Sequence, residues 1–434
     1  MPSPSAPTTS RTSTPSREVR RARVAVAVLF FTNGAIFANL LPRYPSIKAE
    51  LGLTNVEFGA AVAASPLGAL IAGLAAGVLI RRYRSARVAV AATVVASVGI
   101  LLAGLAPGWL VLAMALFLAG AMDAITDVAQ NSHALRVQRL YGRSINNSFH
   151  AVWSVGAVAG GIMGAAAAQA GLPLIVHLSI SAVVFSALAV LSLLWLLKGP
   201  EPEPGEGGAA HAHAPAPVVD AEDGVVRGAS PRALGLVARY GVLLALVVIA
   251  SGGAIVEDSG STWSAIYLSR DLGASAFVAG LGFISLQGMQ FVGRMLGDRM
   301  VDRFGQRAIA RLGGVLVLAG MGGALAFPGV VGTIVGFGVA GFGVATLIPA
   351  AMQAADELPG FKPGTGLTIV GWLLRVGFLV SPPIVGAIAD ASSLRFGLIF
   401  VPAAGLLVLV FSRVLATRRP HPPAQAAPGA VASS

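Results

Sequence analysis

The sequence predicts an all-α membrane protein: twelve transmembrane helices in two pseudo-symmetric six-helix bundles. Three observations carry that prediction. The 434 residues are 55% hydrophobic and 11% charged, where soluble domains carry roughly 25% charged residues. Twelve apolar runs are each long enough to cross roughly 30 Å of hydrocarbon as helix. The arginines gather in alternate gaps between those runs, as the positive-inside rule requires of a polytopic protein.

The runs fall near 24–43, 58–80, 87–106, 109–131, 145–169 and 173–197 in the first half. In the second half they fall near 236–257, 276–297, 308–327, 330–352, 366–389 and 396–415. Arg11, Arg17, Arg20, Arg21 and Arg23 precede the first span. Arg81, Arg82, Arg84 and Arg87 follow the second, and Arg136, Arg139 and Arg143 the fourth. Arg299, Arg303 and Arg307 follow the eighth, and Arg413, Arg418 and Arg419 the last. The intervening gaps hold only Arg43, Lys48, Arg270 and Arg395. Both termini are therefore expected in the cytoplasm, which an even number of spans permits. The pair Arg20-Arg21 resembles an export signal, but the long run after it reads as an anchored first span.

This divides the chain into a disordered N-terminus (1–23), a first bundle (24–197), a cytoplasmic linker (198–233), a second bundle (234–416) and a disordered tail (417–434). The linker is rich in Pro, Gly and Ala, with acids at Glu201, Glu203, Glu206, Asp220, Glu222 and Asp223. His211 and His213 lie within it and read as solvated linker, not as a metal tract. The net charge of +11 is spread over short loops, which argues against nucleic acid. With no cysteine there is no disulfide, thiolate nucleophile or Cys-based metal site. No GxxxxGK[ST] phosphate loop is present, so direct ATP drive is not expected. Only three lysines in an Ala/Gly/Arg-rich chain suggest a GC-rich bacterial genome, hence a bacterial cytoplasmic (inner) membrane. A monomer with no cofactor and no enzymatic activity is expected.

The gap after the eighth span reads Asp302-Arg303-Phe304-Gly305-Gln306-Arg307, with Asp298 and Gly297 just before it. A carboxylate at a helix end, arginines and a turn glycine make a compact charged latch. This closely resembles the loop signature of the major facilitator superfamily, where the loop stabilises one state of a transport cycle. The first-half copy keeps Gly77 and Arg82, but Arg81 replaces the acid and Arg84 the glycine. Asp127-Val-Ala-Gln-Asn131, Ser148-Phe-His-Ala-Val-Trp-Ser-Val-Gly156 and Glu257 with Trp263-Ser-Ala-Ile-Tyr-Leu268 resemble one bacterial branch, which includes rhizopine-transport-like membrane proteins. That branch usually has an acid where Thr262 stands. Gly156-x3-Gly160-Gly161-x2-Gly164 resembles the antiporter motif of drug exporters, with Gly161 in place of its proline; helix packing also accounts for it. The resemblance implies two bundles rocking about a midplane site, driven by a proton gradient.

Polar groups inside apolar spans are functional candidates by default. Asp123, Asp127, Gln130 and Asn131 form one stripe of the fourth span. Asp123 is about 21 Å along it, in its inner third, and is read as a candidate proton carrier. Asp127 is read as a gate pairing with the arginines at 81–87. Arg375 sits about 16 Å into the eleventh span; it must find an anion, a carbonyl or water, and Trp372 offers a stacking face. His150, Trp153 and Ser154 share a face of the fifth span. Gln287, Gln290 and Arg294 line the eighth, with Arg294 assigned to the latch. Asn33 is placed at the cavity, Glu257 near the outer end of the seventh span, His177 at the interface, and Gln353 and Asp356 at a gate beyond a kink at Pro349.

The substrate and proton pathway is thus expected to draw on Asn33, Asp123, His150, Trp153, Glu257, Gln287, Gln290, Trp372 and Arg375. The latch is expected to use Arg81, Arg82, Asp127, Arg294, Asp298, Asp302, Arg303, Gly305 and Arg307. Proton-coupled export of a small amphiphilic drug or metabolite is the first expectation, which an apolar cavity would favour. Proton-coupled uptake of a sugar or cyclitol is the alternative, and a non-transporting membrane sensor the third reading.

Overall fold

The computed structural model describes residues 15–142, 144–199, 236–362 and 364–417. Arg11, Arg143, the linker with its acids and both histidines, and Arg418 and Arg419 lie outside the described residues. Twelve apolar helices long enough to span a membrane follow one another: α1 Arg17–Glu50, α2 Asn55–Gly73, α3 Ser85–Gly104, α4 Trp109–Tyr141, α5 Asn146–Gln169, α6 Leu174–Ser192, α7 Ala238–Asp271, α8 Ala276–Phe304, α9 Gln306–Ala326, α10 Val330–Asp356, α11 Thr365–Ala391 and α12 Leu394–Val414. A helix suits these sequences because it satisfies every backbone donor and acceptor internally, which hydrocarbon demands.

Several ends are set locally. Thr54 and Glu57 form a reciprocal capping box on α2, and the Ser16 hydroxyl accepts from the Val19 N–H at the start of α1. The α10 break falls at Ala345–Thr346, between the helical segments Val330–Val344 and Leu347–Asp356, and not at Pro349 itself. The proline ring crowds the carbonyl four residues earlier, which is that of Ala345.

The halves repeat one another. In the first, α1 packs on α5, and α4 on α2 and α3; in the second, α8 packs on α10, and α9 on α10 and α12. Across the halves α2 meets α11 and α5 meets α8. Adding six to one pair of positions produces the other, so these two seams are pseudo-symmetric copies. The α1·α5 contact is a backbone approach: Gly156, Gly160 and Gly164 lie against the backbone of Phe31, Ala35 and Asn39, and Gly34 against that of Trp153. Small residues allow this contact where no hydrophobic force drives helices together.

The two basic corners match as well. Gly305 adopts φ 85°, ψ 154°, and Arg84 adopts φ 74°, ψ 147°. Arg84 is the one non-glycine residue with positive φ among the described residues. The first-half corner therefore keeps the backbone of the glycine version although arginine is strained there.

Candidate functional site

A cavity of about 940 Å³ opens between the halves. The first half contributes the start of α5, with Asn147, His150 and Ser154; the second contributes Arg294 and Asp298 of α8 and Gln353 of α10. These helix ends lie on the arginine-rich face, which also carries the start of α1 and the end of α12. The cavity therefore opens there.

Deeper in, polar groups from several helices meet. The Trp153 indole donates from Nε1 to Asn33 Oδ1 at 2.7 Å, and Asn33 Nδ2 donates to Asp123 Oδ1 at 2.7 Å. This joins α5, α1 and α4 through one amide and leaves the exposed Asp123 carboxylate one hydrogen bond from Asn33. On the other side, Gln290 Nε2 donates to Glu257 Oε2 at 3.0 Å, and Arg294 approaches the same oxygen at 4.0 Å. This ion pair joins α8 to α7. Gln287 is buried one turn before Gln290.

Asp127 accepts from Asn131 Nδ2 at 2.9 Å and lies within electrostatic reach of His150 and Arg375. His150 lies in turn within reach of Arg294. The charges of both halves thus face one another through His150. Arg375 itself donates to the Gly371 carbonyl at 3.3 Å and is exposed, as is Trp372. Neither lines the cavity described above.

Several expectations change. Asp127 faces His150 and Arg375 in place of the arginines at 81–87. Arg294 belongs with Glu257, because α8 runs to Phe304 and carries Arg294 over the cavity instead of into the latch. Glu257 sits at the level of Gln290 near the middle of α8, not near the outer end of its span, because α7 continues to Asp271. His177 is buried and bonds Asn39 Oδ1 through Nε2 at 2.8 Å, with Asn39 donating to Ser181 at 2.6 Å. It ties α6 to α1 near the start of α6.

The expected latch is disengaged. Asp298 and Asp302 line the open cavity. The Arg303 guanidinium lies over the Phe304 ring at 5.4 Å and that of Arg82 over Tyr83 at 5.5 Å. Arg307 donates from Nε to Leu415 O at 2.8 Å and from its backbone N–H to Ala416 O at 3.0 Å, holding the end of α12. Arg81 is exposed.

The opposite face is closed, by residues the sequence reading missed. Asp390, at the end of α11, accepts from Asn55 N at 2.9 Å, Asn55 Nδ2 at 2.8 Å and Val56 N at 2.7 Å. It clasps the N-terminus of α2 across the two halves, where a helix offers free N–H groups and positive potential. Beneath the clasp Gly59 packs on the backbone of Pro382, and Gly386 on that of Asn55. Tyr44, Phe58 and Trp263 stack edge to face, with ring centroids 5.1 and 5.9 Å apart. On the second seam Gln169 of α5 accepts from the Phe277 N–H of α8 at 3.1 Å. An acid just past an apolar span was the available signal for Asp390.

The sequence profile of the Major Facilitator Superfamily matches residues 26–264 and 258–433. The chain belongs to the Major Facilitator Superfamily. Among curated relatives it is 28% identical to an uncharacterized transporter, y4wD, of Sinorhizobium fredii, covering 90% of this chain and 97% of that one. It is 27% identical to the membrane protein MosC of Rhizobium meliloti, covering 88% of each. Among solved structures, a mutant form of the nucleoside transporter NupG superposes with a TM-score of 0.69 at 14% identity, covering 91% of this chain and 99% of that one. This superfamily member is thus a multi-pass membrane transporter whose halves are parted on the arginine-rich face and joined on the other.

Proposed function

We propose that this superfamily member is a proton-coupled secondary transporter of a small, hydrogen-bonding organic solute. The cavity carries this reading. His150, Asn147, Gln353 and Arg294 offer donors and acceptors from both halves, set among apolar walls that include Phe291, Met295 and Val301. That weighs toward uptake of a sugar- or cyclitol-like solute by symport. Export of an amphiphile by antiport is the second reading, which the apolar walls favour; the glycine run of α5 does not bear on it, because Gly156, Gly160 and Gly164 meet the α1 backbone and Gly161 meets Phe283 and Ile284 of α8. The arginine-rich face is read as cytoplasmic, which makes the described state inward-facing.

Asp123 is the proposed proton carrier. It is exposed, yet among the described residues its one hydrogen bond comes from an amide and no arginine or lysine is paired with it. Arg375, which reaches Asp127 but lines no wall of the cavity, is proposed to meet solute when the halves close around it. Reconstituted protein should accumulate polyol or sugar probes under an inwardly directed proton gradient. Asp123→Asn should lose gradient-driven accumulation while keeping solute exchange at equilibrium. Accumulation that survives a protonophore would exclude proton coupling.

A further inference from the structure

One buried acid has no part in this site. Asp258 follows Glu257 on α7 and is 9% exposed. Its Oδ1 accepts from Thr262 Oγ1, one turn on, at 3.3 Å. Its carboxyl and the buried hydroxyl of Ser381 on α11 face one another, and Oδ2 and Ser381 Oγ have no other hydrogen-bond partner among the described residues.

The ionisable groups that face Asp258 are Glu257 on its own helix and the Tyr44 phenol. Gln290 and Arg294 of α8 turn to Glu257, and α11 presents the neutral Ser381. No cation faces the Asp258 carboxyl among the described residues. Tyr44 is also one of the three rings that close the arginine-poor face, and its hydroxyl and the Trp263 Nε1 are buried without partners. The carboxyl thus lies directly behind the closure.

We propose that Asp258 is a proton-binding site linked to the arginine-poor gate. It takes a proton from water on that face before the Tyr44–Phe58–Trp263 closure forms, and returns it when the closure parts. The reasoning is electrostatic. An unpaired carboxylate cut off from water is strongly disfavoured, whereas the carboxylic acid is tolerated and can donate from Oδ2 to Ser381 Oγ. Closing the gate therefore requires the proton: the O–H bond formed at Oδ2 replaces an O–H bond of a hydronium ion, which is left as water, and opening reverses the exchange. This rests on the proton-coupled reading, but it concerns a second proton, distinct from that of Asp123.

The absence of cysteine makes the test direct. Cysteines at Ala49 and Ser275, exposed on the arginine-poor face of opposite halves, accept spin labels in the full chain in lipid nanodiscs. The short-distance, closed population should grow relative to the open one as pH falls, by up to about tenfold per pH unit, the limit for one linked proton. Asp258→Asn, neutral at every pH, should stay closed and change by less than about twofold over the same range. Asp123→Asn should retain the response of the gate. A parent distance distribution that ignores pH, or an unaltered response in Asp258→Asn, overturns the proposal. So does a sodium titration at constant pH that reproduces the response. If the asparagine variant fails to fold, Asp258→Ser provides the same neutral comparison. Solute accumulation indifferent to protons would sink the transport reading alone, leaving the gate distances to decide this one.

Discussion

The Asp390 clasp yields a prediction whose size follows from its geometry. Both carboxylate oxygens are engaged, by two backbone N–H groups and one side-chain amide of α2. Asp390→Asn leaves one carbonyl oxygen for Asn55 but turns an amide N–H toward the Val56 N–H, and it removes the charge at the helix N-terminus. An exposed anion there contributes about 0.3–1 kcal/mol, and losing the acceptor of a charge-assisted hydrogen bond costs about 1–3 kcal/mol. The site is open to water, so the combined effect is taken as about 1–2 kcal/mol, or about 5- to 30-fold in the ratio of closed to open halves. A single cysteine at Ala63, one turn from Gly59 on the α2 face that meets α11, reads this ratio. Its labelling by a maleimide should accelerate by the same factor, because reaction follows the rare open population. Equal labelling rates in the parent and in Asp390→Asn would show that the clasp is a surface contact with no hold on the conformational equilibrium.

Three further outcomes are expected. Arg84→Gly should stabilise the folded protein by about 1 kcal/mol, since it relieves a left-handed arginine at the price of a looser unfolded chain; thermal unfolding in detergent measures it. Gly156→Ala should destabilise by about 1–3 kcal/mol, because the added methyl meets the Phe31 backbone and α1 must move; a melting temperature at or above the parent's would contradict the close approach. Trp153→Phe removes the indole that fixes Asn33; the protein should fold normally and lose proton-driven accumulation by a larger factor than equilibrium exchange.

The superfamily, the number of helices and the two-half organisation were legible in the sequence, because each rests on local properties. Apolar length specifies a span, and arginine asymmetry separates its ends. Asn33, Asp123, Trp153 and His150 were also legible, since an isolated polar group in hydrocarbon needs a reason to be there. Their pairing was not. The bond from Trp153 to Asn33 and on to Asp123 joins three helices up to 120 residues apart, and no periodicity encodes such a contact. Arg294 went to the latch in the sequence reading because its neighbours in the chain are latch residues; the path of α8 gives it to Glu257.

What the sequence determines alone is what the bilayer selects: twelve helices, two basic corners, and a few polar groups too costly to leave unassigned. Which face is closed was left to tertiary structure. Both ends carry charged closures in the sequence, the Asp302 latch and the Asp390 carboxylate, and each is chemically competent. Only the packing of α2 on α11 and α5 on α8 decides which is engaged, because both seams join residues far apart in the chain and follow from how the halves meet.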